Sequence, residues 1–306
     1  MTVLCSETRP NAKPENVSGN YKKDKTMEQA SLITTPIKLL KGNDLVSQGT
    51  GFFVAHWYGE QNVLFLVTNF HVLTGFAPTE NKAPIGDNIE FNLHISKDNP
   101  EKVKNFRFPL FTKEGKPVWL INEDNKEADL AIIPMPVEVY KEADIVNCIN
   151  EKWSTNQLKV RTTTRTSVVG YPYGYYDKKN SLPIWKTGSI ASEPDIDFEG
   201  KKLIVLDISA FPGMSGAPVF AIAQGMYETE AGGMQGGVIN KFLGIYASMQ
   251  MLTKNKFLEQ LINQIPVGIK DQESLQLGHV WKASLIFDVL NKFNINAYTE
   301  NILRKL

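Results

Sequence analysis

Three short segments of the 306-residue chain carry side chains suited to one type of reaction. Ser215 lies in Phe211-Pro-Gly-Met-Ser-Gly-Ala-Pro-Val-Phe220, between glycines and ahead of an apolar run, so its hydroxyl is presented in a turn without shielding. A serine hydroxyl becomes a nucleophile when an adjacent imidazole takes its proton, and that imidazole needs a carboxylate to fix its tautomer and stabilise its charge. His71 follows the buried-type run in Leu66-Val-Thr-Asn-Phe-His-Val-Leu73, and Asp129 opens the apolar run in Ala128-Asp-Leu-Ala-Ile-Ile133. Taken singly, each also reads as an ordinary residue: a histidine capping a strand, an aspartate in a turn, a serine in a loop. Together, in the order His, Asp, Ser, they form the set that nucleophilic catalysis requires.

Residues so far apart in sequence need a scaffold to bring them together, and the patterning supplies strands. Short β-type runs cover 32–40, 51–55, 63–67, 89–95, 106–111, 118–121 and 130–133, separated by Gly, Asn, Asp and Pro clusters. A second set covers 158–165, 167–170, 185–191, 203–208, 218–223, 242–247 and 279–282. Residues 137–151 connect the two clusters, with room for one short helix. Lys256 to Gln264 and Ser284 to Phe293 carry apolar residues at helical spacing. The implied layout is a polar tail over 1–30, with translation starting at Met1 or Met27. A first β-unit and connector then span 31–150, a second β-unit with a terminal helix spans 151–293, and a tail spans 294–306. Gly232-Gly-Met-Gln-Gly-Gly237 lacks a strand-to-helix context for phosphate binding and reads as a hairpin tip. Gly170-Tyr-Pro-Tyr-Gly-Tyr-Tyr176 reads as a packed aromatic turn.

Composition removes several function classes. Thirty-three basic and thirty-three acidic residues give zero net charge, so no long-range field gathers nucleic acid or acidic membrane. No apolar run reaches the roughly 18–20 residues of a membrane span, and the first thirty residues hold no apolar core for a secretion signal. Four histidines without i, i+4 pairing or cysteine neighbours give no metal site, and no cofactor is expected. Two cysteines, Cys5 and Cys148, build no disulfide framework, which fits a reducing, cytoplasmic setting.

At the level of family the chain resembles the trypsin-like (chymotrypsin-fold) serine peptidases, nearest to their HtrA-type and glutamyl-endopeptidase-type branches. The resemblance spans about residues 32–293 and rests on Gly49-Thr-Gly-Phe-Phe-Val54, Val67-Thr-Asn-Phe-His71, Ala128-Asp-Leu-Ala131 and Gly170-Tyr-Pro-Tyr-Gly174. It continues through Thr187-Gly-Ser-Ile-Ala-Ser192, Pro212-Gly-Met-Ser-Gly-Ala-Pro218 and Leu243-Gly-Ile-Tyr246. It implies an all-β fold, two six-stranded antiparallel β-barrels with a C-terminal helix and the active site in the cleft between them. It further implies Ser215 as nucleophile, His71 as general base and acid, Asp129 as its orienter, and backbone N–H groups of Gly213 and Ser215 as the oxyanion hole. The strand ending in Tyr246-Ala-Ser-Met249 would pair with an extended protein or peptide substrate through Ala247, Ser248 and Met249.

Departures from the family pattern shape the finer expectations. Met214 stands where many extracellular relatives carry the Asp that pairs with a new N-terminus, so that activation switch is not expected. Too few residues follow the terminal helix for an appended PDZ-type domain. Ser209, six residues before the nucleophile at the expected pocket base, offers no carboxylate for a basic side chain, and Met249 narrows the pocket mouth. A pocket for small or medium apolar residues follows, while His279 either lines it, favouring acidic residues, or is half-buried structure. An α/β-hydrolase order of Ser215, Asp271 and His279 fails because Pro218-Val-Phe220 continues as strand where that fold needs a helix. A catalytically silent or latent module that binds peptides or a partner stays open, as does activation by a partner or an oligomeric contact.

Overall fold

A computed structural model describes residues 27–96, 99, 101–259 and 266–306. The expected N-terminal tail, Cys5 included, lies outside these residues as far as Thr26; beyond it α1 (Gln29–Ile33) already buries Ala30 and Ile33. The first sheet contains β1 (Thr34–Lys41), β2 (Asp44–Tyr58), β3 (Gln61–Thr68), β4 (Asn88–His94), β5 (Val103–Pro109) and β6 (Ala131–Pro134), in the order β5-β4-β1-β2-β3-β6. Its two edges are stitched by the chain between them: Val118 N–H donates to Leu110 O at 3.0 Å, and Leu120 and Ile132 exchange bonds of 2.8 and 3.0 Å. The expected strand over 118–121 is thus a bridge that curls the sheet toward closure. The second sheet is a closed barrel, β10-β11-β12-β9-β8-β7, made of β7 (Arg165–Gly170), β8 (Ile184–Ile190), β9 (Leu203–Asp207), β10 (Pro218–Glu228), β11 (Met234–Glu259) and β12 (Pro266–Lys282). Helices α2 (Phe70–Thr74), α3 (Val137–Tyr140), α4 (Ser284–Lys292) and α5 (Ile295–Asn301) complete the described chain. The chain has the chymotrypsin-like all-β architecture with a helical C-terminus.

Strand runs without polar alternation have a physical reason here, because both faces are buried. Along β2, Phe52 and Val54 face one apolar cluster while Phe53 and Ala55 face another, the period of two that a pleated strand enforces. Val63, Phe65 and Val67 of β3 separate from Leu64 and Leu66 in the same way. The first cluster is shared: Phe52 meets Phe242 of β11 edge-on with centroids 5.5 Å apart, and Leu285, Ile286 and Leu290 of α4 pack onto it. Sharing this core makes the two β-units one cooperative body, and each deeply buried aromatic in it is worth about 3–5 kcal/mol against alanine.

Three segments differ from expectation. Lys256 to Glu259, read as helical, extends β11 and pairs with Pro266 to Ile269 of β12; Gln260 to Gln264 lies outside the described residues. A short apolar run fits either period, and a ladder partner decides it. Leu158 to Arg165, read as a strand, enters the ladder only at Arg165, the first residue of β7; before it stands an isolated bridge from Leu158 to Thr229, and Thr163 turns to positive φ (67°) and breaks the extended run. Residues 294–306, read as a tail, begin with an Asn294 cap accepting from Ala297 N–H at 3.0 Å, and α5 docks Tyr298 with its hydroxyl on Val118 O at 2.7 Å.

Candidate active site

His71 sits in α2, a single turn directly after β3 that Gly75 ends at φ +83°. Its Nδ1 lies 2.5 Å from Asp129 Oδ2, and its backbone N–H donates to Asp129 Oδ1 at 3.0 Å. A carboxylate only accepts, so Nδ1 carries the proton and Nε2 presents a lone pair. The Asp129 side chain is 15% exposed and that of His71 33%, so the pair is shielded on the carboxylate side and open on the imidazole side. A third bond fixes Asp129 from behind: the fully buried Asn69 donates its Nδ2 to the Asp129 carbonyl at 2.5 Å. Nothing in the sequence marks Asn69 for this role beyond its place two residues before His71.

Ser215 lies beyond a tight turn in which Met214 N–H donates to Phe211 O at 3.1 Å, with Pro212 second and Gly213 third at φ +94°. That is the Pro-Gly pattern of a type II turn, and it demands a glycine. A Cβ on Gly213 would also lie 2.5 Å from Tyr171 O. Every peptide here is trans, so each N–H points opposite the carbonyl before it. Pro212 O is taken by Tyr173 N–H at 2.7 Å and Met214 O by Ala217 N–H at 3.0 Å. The N–H groups of Gly213 and Ser215 therefore point away from these contacts, and neither donates to a protein acceptor among the described residues.

The hydroxyl of Ser215 donates to Ala247 O at 3.0 Å; no hydrogen bond joins it to the imidazole among the described residues. The two halves of the site meet at Gly49, where an added methyl would come 2.7 Å from Val72, next to His71, and 3.2 Å from Ser215 O. Ala247 is the extra residue of a register shift between Tyr246, opposite Val280, and Ser248, opposite His279. A bulge leaves its residue outside the ladder, which frees the Ala247 carbonyl to face Ser215.

The expected pocket residues are placed less closely. Ser248 and Met249 follow Ala247 along β11, and the Met249 sulfur accepts from Ser274 Oγ at 2.8 Å. Ser209 is exposed between the buried Ile208 and Ala210 and makes no hydrogen bond to Ser248 or Met249 among the described residues. His279 is half-buried on β12 with Nδ1 3.4 Å from Ser248 Oγ. Burial pushes the His279 imidazole below the ordinary histidine value, opposed by Glu199 and assisted by Lys201. Position 271 stands opposite 254 in the backbone ladder, out along the β11–β12 ribbon from His279, and Ser215 leads into strand β10, which removes the order Ser215, Asp271, His279. In the aromatic turn Tyr171 is buried, its hydroxyl within 2.9 Å of Thr34 O and 3.0 Å of Ser181 O, whereas Tyr173 and Tyr175 are exposed. A cavity of about 640 Å³ beside α4, lined by Phe70, Trp119, Val289 and Phe293, does not include Ser215. No described helix is long and apolar enough to cross a membrane.

No curated protein matches the chain. Among solved structures it is similar to the Rv3671c protease in its inactive form, at 17% identity and a TM-score of 0.42, covering 86% of this chain and 89% of that one. It is similar to a serine endoprotease from Yersinia pestis at 14% identity and a TM-score of 0.42, over 86% of this chain and 65% of that one. A thermostable serine protease, AL20, from an extremophilic microorganism gives 12% identity and a TM-score of 0.44 over 90% and 100%. The family model of the trypsin-like peptidase domain matches residues 49–226, a stretch that runs from the glycine between the two halves of the site through His71, Asp129 and Ser215. The chain belongs to the trypsin-like peptidase family.

Proposed function

We propose that the chain is a serine endopeptidase that cleaves peptide bonds through an acyl-enzyme. The observation that carries this reading is the His71–Asp129 pair, bonded at Nδ1 with Nε2 open, beside a turn whose Gly213 and Ser215 amides have no protein acceptor among the described residues. An extended substrate adds to β11 beside Ala247, Ser248 and Met249, its backbone N–H taking the Ala247 carbonyl. The Ser215 hydroxyl then turns to His71 Nε2, which removes its proton as Oγ attacks the scissile carbonyl carbon. The carbonyl oxygen becomes an oxyanion held by the two amides, and Asp129 stabilises the imidazolium. His71 returns the proton to the leaving amine as the C–N bond breaks. Water, deprotonated by the same imidazole, then releases the acyl group from Ser215.

Small or medium apolar residues are the proposed primary specificity, because Ser209 carries no charge and β11 bears a methionine at 249, two residues beyond Ala247. The setting proposed is cytoplasmic, on the strength of only two cysteines in the chain. Its substrates are proteins or peptides, cut selectively or under the control of a partner or oligomeric contact. A second reading, a silent or latent peptide-binding module, has one observation in its favour: the Ser215 hydroxyl rests on Ala247 O. Reaction with a fluorophosphonate probe separates the two. The wild-type protein should label and Ser215→Ala should not. Labelling that survives the substitution would overturn the nucleophile, and a folded wild-type protein that neither labels nor cleaves would favour the silent module.

A further inference from the structure

Thr50 is fully buried in β2 on the first sheet, yet most of its polar contacts lie on the second. Its hydroxyl donates to Gly213 O at 2.8 Å and accepts from Tyr171 N–H at 3.1 Å. Its backbone N–H donates to Ser215 O at 2.8 Å. Its carbonyl accepts from Thr68 Oγ1 at 2.7 Å, and a Cβ on Gly216 would strike that same carbonyl at 2.0 Å. The register explains why these groups are available. Thr50 turns its N–H and carbonyl to the edge of β2 away from β1, and β3 pairs with that edge only from Phe52 onward. At this one position the free edge of β2 is occupied by the turn that bears Ser215.

The consequence concerns how the oxyanion turn keeps its shape. Residue 214, where a carboxylate would be needed for an ion-pair anchor, is a buried methionine. The turn is instead fixed by hydrogen bonds to the carbonyls on either side of Gly213: Tyr173 N–H holds Pro212 O, and the Thr50 hydroxyl holds Gly213 O. The same hydroxyl ties in Tyr171, two residues before Tyr173, so both clamps share one origin.

We propose that Thr50 is a positioning residue whose hydroxyl holds the Gly213 amide toward the oxyanion, so that the turn stands assembled without any cleavage of the chain. The proposal rests on the peptidase reading above. Thr50 does not touch substrate; it acts through the Gly213–Met214 peptide and through Tyr171.

Thr50→Val keeps the shape and removes the hydroxyl, and Thr50→Ser restores it. Losing an oxyanion donor outright costs about 100- to 1,000-fold in kcat, so loosening one should cost about 10- to 100-fold, with KM changed less than about twofold. A peptide aldehyde, which forms a tetrahedral adduct on Ser215, should lose affinity by a similar factor, whereas a product peptide lying on β11 should not. Thr50→Ser should recover most of the rate. Thr35→Val, at a buried threonine whose hydroxyl accepts from Asn92 N–H at 2.8 Å, should lower thermal stability with kcat unchanged. If Thr50→Val does not fold, Thr50→Ala serves, its rate and aldehyde affinity compared with Thr50→Ser. Hydroxyl-free variants that cleave and bind the aldehyde within about twofold of wild type would overturn the role of Thr50 and leave the peptidase reading standing. A wild-type protein that does not label with fluorophosphonate would instead remove the reading on which the proposal rests.

Discussion

The first sheet brings side chains to the cleft, and the second brings backbone. His71 and Asp129 come from a one-turn helix and a strand-opening turn, and bonds between these two segments fix them against each other. Apart from the Ser215 hydroxyl, the second barrel contributes the amides of Gly213 and Ser215 and the carbonyl of Ala247. The difference teaches where each half tolerates change. Side-chain chemistry is lost by changing an atom while the fold survives, whereas backbone chemistry is lost by anything that alters a dihedral angle.

The largest expected effect breaks the first half alone. Asp129→Asn should lower kcat by about 10⁴-fold through loss of the correct imidazole tautomer. The circular-dichroism spectrum should be unchanged, and a substrate profile within tenfold of wild type would remove Asp129 from the reaction. The matching attack on the second half is Gly216→Ala, where φ is +89° and the new methyl meets Thr50 O at 2.0 Å. Overpacking and strain of this kind cost about 1–3 kcal/mol or more, so this variant should lose activity and stability together. An active Gly216→Ala enzyme with an unchanged melting midpoint would erase the distinction between the halves.

A smaller effect sharpens the comparison within the first half. Asn69→Ala removes the bond behind Asp129 and should lower kcat about tenfold with KM held, as for other groups that orient a catalytic partner; an equal loss in KM would assign Asn69 to substrate binding. The smallest effect is in pH. Burial lowers the folded-state values of His56, opposed by Glu151, and of His279, so the unfolded chain takes up protons first as pH falls. Stability is therefore full above the ordinary histidine value and drains as pH drops through the lowered folded values. The fall in melting midpoint between pH 7.5 and 5 should flatten in the double variant His56→Gln, His279→Gln, and an unaltered slope would place the acid sensitivity elsewhere.

The residues of the candidate site were readable because each lies at the end of a strand whose apolar run is visible, and because Gly213 and Gly216 mark turns only glycine can make. The connections between them were not. Thr50 and Gly213 are 163 residues apart, and Asn69 and Asp129 are 60 apart, so nothing local distinguishes this threonine or this asparagine from others nearby. Lys256 to Glu259 misled for a related reason: its strand identity is conferred by Pro266 to Ile269 across the ladder rather than by its own period. The helix over 295–301 hid in a segment with a single buried anchor, Tyr298.

The bulge at Ala247 also separates two kinds of change available to this chain. A residue inserted beside Ala247 would slide Ser248 and Met249 to the opposite face of the strand, and removal of Ala247 would close the bulge and take away the carbonyl that faces Ser215. The length of that segment is fixed. The side chains at Ser248 and Met249 carry no such constraint, since they stand between two register shifts, the second lying between Met249 and Met251. New cleavage preferences would therefore arise here by substitution at constant length, and swapping loops of different size would leave a folded but inert protein.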